Sequence, residues 1–314
     1  MTDRSRQFRA FALLGLVMLL WAGNTIVGRA VRSDVGPFTL ALVRWGGASL
    51  VLLPFAITPL RRDRAAIRAA WKPLLLLGVL GIAAFNGFVY TALRYTTATN
   101  ALLLQAAIPP AVMAFDRMLF KERSSGGEIV GVLASIVGVA VIVFQGDPAS
   151  ALHLHFGFGD ALMLIAVVDW ALYTVLLRLR PKISPISVIA VTFAVGVVAM
   201  APLAAWEWHD GETVRWSAGV AWAFAYVALL PSLVAYFIYN HAAHVVGPAR
   251  AGQAITLLPL FGAFLSAALL GETLHRFHFV GMALILLGIV VAALSGRPKA
   301  RAGAPRERQL EDAA

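Results

Sequence analysis

No cysteine occurs among the 314 residues, so disulfides, thiolate metal sites and cysteine nucleophiles are excluded. Charge is scarce as well. Only 13% of residues are charged, where a water-soluble domain carries about 25%. Lysine is rarer still: Lys72, Lys121, Lys182 and Lys299 all fall in loops or at segment ends. A phosphorylated substrate would call for lysine or arginine at mid-depth. Within the apolar segments only Arg44 offers that charge. Acids inside apolar segments are just as few, with Asp169 the sole carboxylate deep within one. A membrane-embedded hydrolase or phosphatase needs a nucleophile with a base, or clustered acids and arginines, at one depth. No histidine shares the depth of Asp169, which argues against that class.

What the chain has in abundance is apolar sequence: 60% of residues are hydrophobic and mean hydropathy is +0.80. Segments long enough for a ~30 Å hydrocarbon core occur at approximately 10–30, 37–58, 73–94, 97–120, 127–145, 157–178, 184–206, 217–240, 248–270 and 275–295. Each run is near 20 residues, and none alternates in the ~10-residue dyads of an outer-membrane barrel. The first run has a basic start and no A-x-A site, which suits a retained span better than a signal peptide. The expected fold is therefore an all-α integral membrane protein with ten transmembrane helices.

The net charge of +10 does not point to nucleic acid, because the bases sit in short loops between apolar runs. They read as a topology signal. With the N-terminus inside, 20 of the 26 lysines and arginines lie on the cytoplasmic side. Both termini are then cytoplasmic, at the inner membrane. Residues 1–9 form a short leading segment, and 296–314 form a basic tail poor in large apolar groups, expected to be disordered.

The sequence also repeats itself. Pro109 precedes Glu122 by the same interval as Pro259 precedes Glu272, and the two pairs are 150 positions apart. The same offset pairs Ala101 with Ala251, Gly131 with Gly281, Gly138 with Gly288 and Gly146 with Gly296. With shifts of one or two residues, Trp21 pairs with Trp170, Thr25 with Thr174, Pro37 with Pro185 and Pro54 with Pro202. Residues 10–145 and 157–295 are thus two copies of a five-helix unit. Because five is odd, the second copy enters the membrane upside down. Inverted repeats of this kind mark alternating-access transporters, with the substrate site near the midplane between the halves.

Two five-helix repeats, an arginine in the second span ("LVRWGGASL", Arg44) and the proline-to-glutamate pattern of the fourth and ninth spans resemble the EamA family of drug/metabolite transporters. The aromatic-rich, weakly charged character is similar to the YddG-type amino-acid exporters within it. The resemblance implies that spans 1, 3, 4, 6, 8 and 9 line a central cavity, with 2, 5, 7 and 10 outside. Arg44 has no counterpart in the second copy, where Thr192 stands.

Polar residues fall on those inner spans. Trp21, Asn24, Thr25 and Gly28 share a helical face by their spacing, as do Asn86 and Tyr90. Asn100 and Gln105 begin the fourth span. Ser232, Tyr236, Tyr239 and Asn240 lie on the eighth, and Gln253 and Thr256 share a face of the ninth. Asp169, Trp170 and Tyr173 lie on the sixth. Amides and phenols in lipid need partners, which a water-filled pathway or interhelical hydrogen bonds supply. For Asp169 three roles stay open: proton carrier, counter-charge for a substrate ammonium, and structural acceptor. Trp170, the counterpart of Trp21, is expected to turn its neighbour Asp169 away from the lumen.

Pro109, Pro110, Pro231 and Pro259 are expected to bend their helices, as gate hinges or as static kinks. Glu122 and Glu272 lie just before the fifth and tenth spans, where a carboxylate favours the positive end of a helix dipole and suits a lid. The pairs His241/His244 and His275/His278 lack the further ligands a metal site needs; no cofactor or metal is expected. The function expected is export of small neutral or zwitterionic metabolites, most simply amino acids with apolar or aromatic side chains. Efflux of planar cationic drugs is the rival. The expected partners are a small-molecule substrate and the lipid bilayer, with a homodimer left open and nucleic acid excluded.

Overall fold

The computed structural model describes residues 3–105, 107–121, 126–144, 146–147, 157–246 and 257–295. The first half contains α1 (Asp3–Ala30), α2 (Pro37–Ala69), α3 (Trp71–Gly78), α4 (Phe85–Tyr95), α5 (Ala98–Gln105), α6 (Ile108–Phe120) and α7 (Gly126–Val143). The second contains α8 (Phe158–Leu176), α9 (Pro185–His209), α10 (Ala218–Leu229), α11 (Ala235–Val246), α12 (Leu258–Leu270) and α13 (Arg276–Ser295). No strand occurs among the described residues.

Seven helical segments are long and apolar enough to cross a membrane, and three shorter apolar ones lie at Ile129–Ile142, Leu258–Leu270 and Arg276–Gly288. The ten expected full-length spans are therefore seven long segments and three shorter ones among the described residues. Their outer faces carry Leu50, Phe55, Val198, Trp222 and Phe264, each about two-thirds exposed or more. Large apolar side chains in water would be costly at this density; against acyl chains they are at home.

One expected loop is helix. The basic stretch 59–69 continues α2 as far as Ala69 despite Pro54 and Pro59. "RRDRAAIRA" is rich in alanine and arginine, both strong helix formers, so the chain needs only a one-residue break at Ala70 before α3 begins.

Two interruptions recur at matching places. A π-helical stretch, Val79–Ala84, joins α3 to α4, and another, Leu230–Val234, joins α10 to α11. Pro231 lies in the second and removes a backbone donor there. The first has no proline. Its Gly81 instead admits the ring of Tyr173, where a Cβ would come within 2.4 Å of that ring. The fourth expected span likewise breaks between α5 and α6. Pro109 and Pro110 take the first turn of α6, where the missing N–H and fixed φ suit a helix start.

The halves pack through reciprocal contacts. A Cβ on Gly138 would meet the Gly281 oxygen at 2.6 Å, and one on Gly288 would meet the Gly131 oxygen at 2.3 Å. Since 281 and 288 are the counterparts of 131 and 138, each glycine touches the counterpart of the other. Antiparallel mates related by a local twofold axis make this pattern. Small residues at the crossing let the α7 and α13 backbones approach closely.

The α2–α9 pair repeats the pattern with caps. Asp63, near the end of α2, accepts from Ser184 N at 2.9 Å and Ser187 Oγ at 2.7 Å, at the start of α9. Glu207, near the end of α9, accepts from Phe38 N at 2.9 Å and from Thr39 N and Oγ1 at 2.8 Å, at the start of α2. Each carboxylate satisfies orphan donors at the positive end of the other helix. Glu207 is 3% exposed, so Asp169 is not the only buried acid.

Candidate functional site

A cavity lies where the two halves meet. It is lined from the first half by Trp21, Asn24, Thr25, Arg44, Trp45, Phe85, Asn86 and Gln105, and from the second by Trp170, Tyr236 and Leu258. Its free space is about 70 Å³, enough to hold water, since one water needs about 10–15 Å³. Five of the fourteen lining residues are aromatic. Phe85 packs on Trp170 with ring centroids 4.5 Å apart, and Trp21 meets Tyr236 edge-on at 6.1 Å.

Arg44 organises the polar wall. It is 6% exposed and donates through Nε to Ser232 Oγ at 2.8 Å and through Nη1 to Asn86 Oδ1 at 2.8 Å and Tyr90 Oη at 3.2 Å. Asn86 Nδ2 donates to Ile82 O at 2.8 Å, which fixes the amide with its oxygen toward the guanidinium. Tyr90 Oη donates to Asn24 Oδ1 at 2.8 Å, and Ser232 Oγ donates to Val227 O at 2.8 Å. The guanidinium lies 4.4 Å over the Trp45 ring. α2 thus reaches the cavity through this long side chain, contrary to the expectation that the second span is peripheral. Sequence spacing does not assign Arg44, Trp45 or Phe85 to the cavity, because an apolar span gives no hint of which neighbour its single membrane-depth arginine meets. Charge at that depth was the available signal.

Of the expected cavity residues, Trp21, Asn24, Asn86, Gln105, Trp170 and Tyr236 come together on this wall, and Tyr90 joins them through its hydrogen bonds. Trp21 Nε1 also donates to Pro231 O at 3.0 Å, a carbonyl in the second π-helical stretch. Tyr239 packs on the back of Trp21 at 5.5 Å, and Tyr173 on Trp170 and Gly81; both support the wall from behind. Asn100 sits elsewhere, its Oδ1 3.0 Å from His278 Nε2. Asp169 is 8% exposed and does not line the cavity, and its Oδ2 has no hydrogen-bond partner among the described residues. The side chain of Asn240, and Gln253, Thr256 and Glu122 entirely, lie outside the described residues.

Both ends of the molecule are tied across the halves. At one end Glu272 accepts from Ala98 N and Thr99 N at 2.9 Å and from Thr99 Oγ1 at 2.7 Å, with Arg29 Nε 3.9 Å away. It caps α5, not the helix that follows it as its position in sequence suggested. Nearby, Arg94 clasps Glu212 with two bonds of 2.7 and 2.5 Å. At the other end Arg178 pairs with Asp116. The counterpart of Arg178 is Arg29, so each half contributes one arginine to the tie at one end. Pro259, like Pro109, lies in the first turn of its helix. Among the described residues no group of three or more His, Asp or Glu side chains is placed to hold a metal ion.

The sequence profile of the EamA-like transporter family matches residues 9–144 and again 157–294. An uncharacterized transporter of Archaeoglobus fulgidus is 29% identical over 279 residues, covering 88% of this chain and 94% of that one. YyaM of Bacillus subtilis, also an uncharacterized transporter, is 25% identical over 258 residues, 82% and 84% of the two chains. YedA of Escherichia coli, an uncharacterized inner membrane transporter, is 26% identical over 90% of each. A solved crystal structure shares the fold with a TM-score of 0.59 at 19% identity, over 91% of this chain and 96% of that one.

Proposed function

The chain belongs to the EamA-like transporter family and is a multi-pass membrane transporter; from that premise we propose that it exports small neutral or zwitterionic metabolites, most simply amino acids with apolar or aromatic side chains. In this reading it works by alternating access across the inner membrane. The supporting observation is the cavity: an aromatic cage with an amide and hydroxyl wall, built jointly by both halves. Tyrosine and tryptophan offer apolar surface with a polar tip, which suits an apolar side chain on a polar head. Efflux of planar cations is disfavoured by the Arg44 guanidinium in the cavity wall.

Ten spans as two inverted five-helix repeats, with both termini cytoplasmic, complete the reading. The reciprocal contacts of α7 with α13 and of α2 with α9 support the twofold relation between halves. The absence of native cysteine makes the topology directly testable. Ala65→Cys should label only from the cytoplasm and Asp210→Cys only from outside; the reverse pattern overturns the orientation.

Counterflow of labelled amino acids, dyes and sugars in proteoliposomes tests the substrate class. Phenylalanine or a comparable amino acid should exchange, and alanine at Trp170 or Tyr236 should slow that exchange at least tenfold. Unchanged exchange in both variants removes the cavity from the pathway.

A further inference from the structure

We propose that Arg44 recognises a substrate carboxylate, and that no fixed charge in the cavity reads the amino group. The cargo class is then wider than amino acids: monocarboxylates with an apolar or aromatic body. This rests on the reading of the central cavity as the transport site and names the chemistry of that site.

Charge at the cavity is unbalanced. Arg44 is 6% exposed and lines the cavity. Its partners Ser232, Asn86 and Tyr90 are all neutral, and none of the described carboxylates forms an ion pair with it. A guanidinium carries five N–H donors. The bonds to Ser232, Asn86 and Tyr90 use Nε and both donors of Nη1, so the two on Nη2 have no partner among the described residues. An arginine inside a membrane protein is retained where it meets a counter-charge or a water-filled cavity. Here the protein supplies acceptors for three donors of a residue that lines the cavity, and none among the described residues for the other two.

The backbone adds to the same potential. α6 and α12, each 13 residues long, begin at the cavity, which Ile108 and Leu258 line. Their positive ends point at the site, as half-helix N-termini point at substrate carboxylates in other transporters. Among the described residues no acidic side chain lines the cavity, and Asp169 is not part of its lining. A cation, an ammonium included, finds no fixed partner there. An anion finds three sources of positive potential.

Binding to purified protein, followed by tryptophan fluorescence and thermal shift, separates the possibilities with three probes. These are L-phenylalanine, 3-phenylpropionate, which lacks the ammonium, and L-phenylalaninamide, which lacks the carboxylate. The two acids should bind within about threefold of one another, and the amide at least tenfold more weakly. Arg44→Gln should weaken both acids at least tenfold. Because that variant also removes three hydrogen bonds, Asn86→Asp is the second arm. It places a carboxylate beside the guanidinium, and should keep or raise thermal stability while abolishing acid binding.

Equal binding of phenylalanine and its amide overturns the assignment while leaving amino-acid export standing. Binding of phenylpropionate without phenylalanine upholds Arg44 and overturns amino-acid export. Retention of acid affinity in Asn86→Asp, or failure of both acids to bind, overturns the assignment outright.

Discussion

The carboxylate of Glu207 holds Thr39 twice, through the backbone N–H and the hydroxyl, both at 2.8 Å and across the two halves of the molecule. Trp208 adds a third bond, donating from Nε1 to the same hydroxyl at 3.0 Å. Ser187, the counterpart of Thr39, donates its hydroxyl to Asp63 at 2.7 Å, and the backbone bond there comes from Ser184 N at 2.9 Å. Two helices related by the repeat thus finish one another.

Glu207→Ala leaves the Phe38 and Thr39 amides without an acceptor in a site only 3% exposed for the carboxylate. Losing a helix cap costs about 0.5–2 kcal/mol, and charged hydrogen bonds left unmade add to it, so a loss of about 1–3 kcal/mol is expected. Thermal unfolding in detergent reads this as a lower midpoint. Glu207→Gln, which keeps one acceptor, should fall between the variant and the parent. An unchanged midpoint for Glu207→Ala would mean that the cap contributes nothing.

Lys121 and Gly271 are counterparts in the repeat, and both end their helix in the left-handed region, at φ 55° and 66°. Only glycine occupies that region without steric cost; an L side chain there costs about 1–2 kcal/mol. Gly271→Ala should therefore destabilise by about 1 kcal/mol, and Lys121→Gly should be neutral or stabilising by up to about 1 kcal/mol, since glycine's looser unfolded state offsets part of the gain. A lower midpoint for Gly271→Ala and an equal or higher one for Lys121→Gly in a thermal-shift assay are the expected result.

Arg94 holds the Glu212 carboxyl below the usual glutamate range, chiefly through their paired hydrogen bonds. A depressed carboxyl contributes stability above its unfolded pKa, about 4.3, and loses it as pH falls through the lower folded value. Glu212 is more than a third exposed, so solvent screening limits the contribution at neutral pH to about 0.2–1 kcal/mol. Comparing Glu212→Gln with the parent at pH 7 and near pH 3 should show the difference shrinking on acidification. High salt should shrink it too.

Asp169→Asn removes a carboxylate that is buried, is not part of the cavity lining and has Oδ2 without a partner among the described residues. A buried charge without compensation is costly. The variant should match the parent or gain about 1–2 kcal/mol of stability, and transport rate and pH dependence in proteoliposomes should stay within about twofold. Loss of transport at normal stability would instead make Asp169 a proton or counter-charge site.

Composition and periodicity alone settled a good deal. Apolar runs of about 20 residues leave the chain no solvent but lipid, and helices are the form in which such runs satisfy their own backbones. The 150-residue offset announced the duplication, because matched prolines and glycines mark positions where the backbone is special. Asn24, Asn86, Gln105 and Trp170, which line the cavity, were legible as inward-facing, since polar and amphipathic groups in an apolar run must face something other than lipid.

What sequence spacing does not encode is which helix meets which. Glu272 caps α5 and not its own neighbour, Asp63 and Glu207 trade helix starts, and the break at Val79–Ala84 carries no proline to announce it. Arg44 belongs to the same group. Its charge was visible, but its reach to Ser232, 188 positions away, exists only once α2 packs against the second half. Local pattern fixes each helix and the face it must hide. The partner of that face is decided by long-range packing, where one flexible side chain can carry a peripheral helix into the centre.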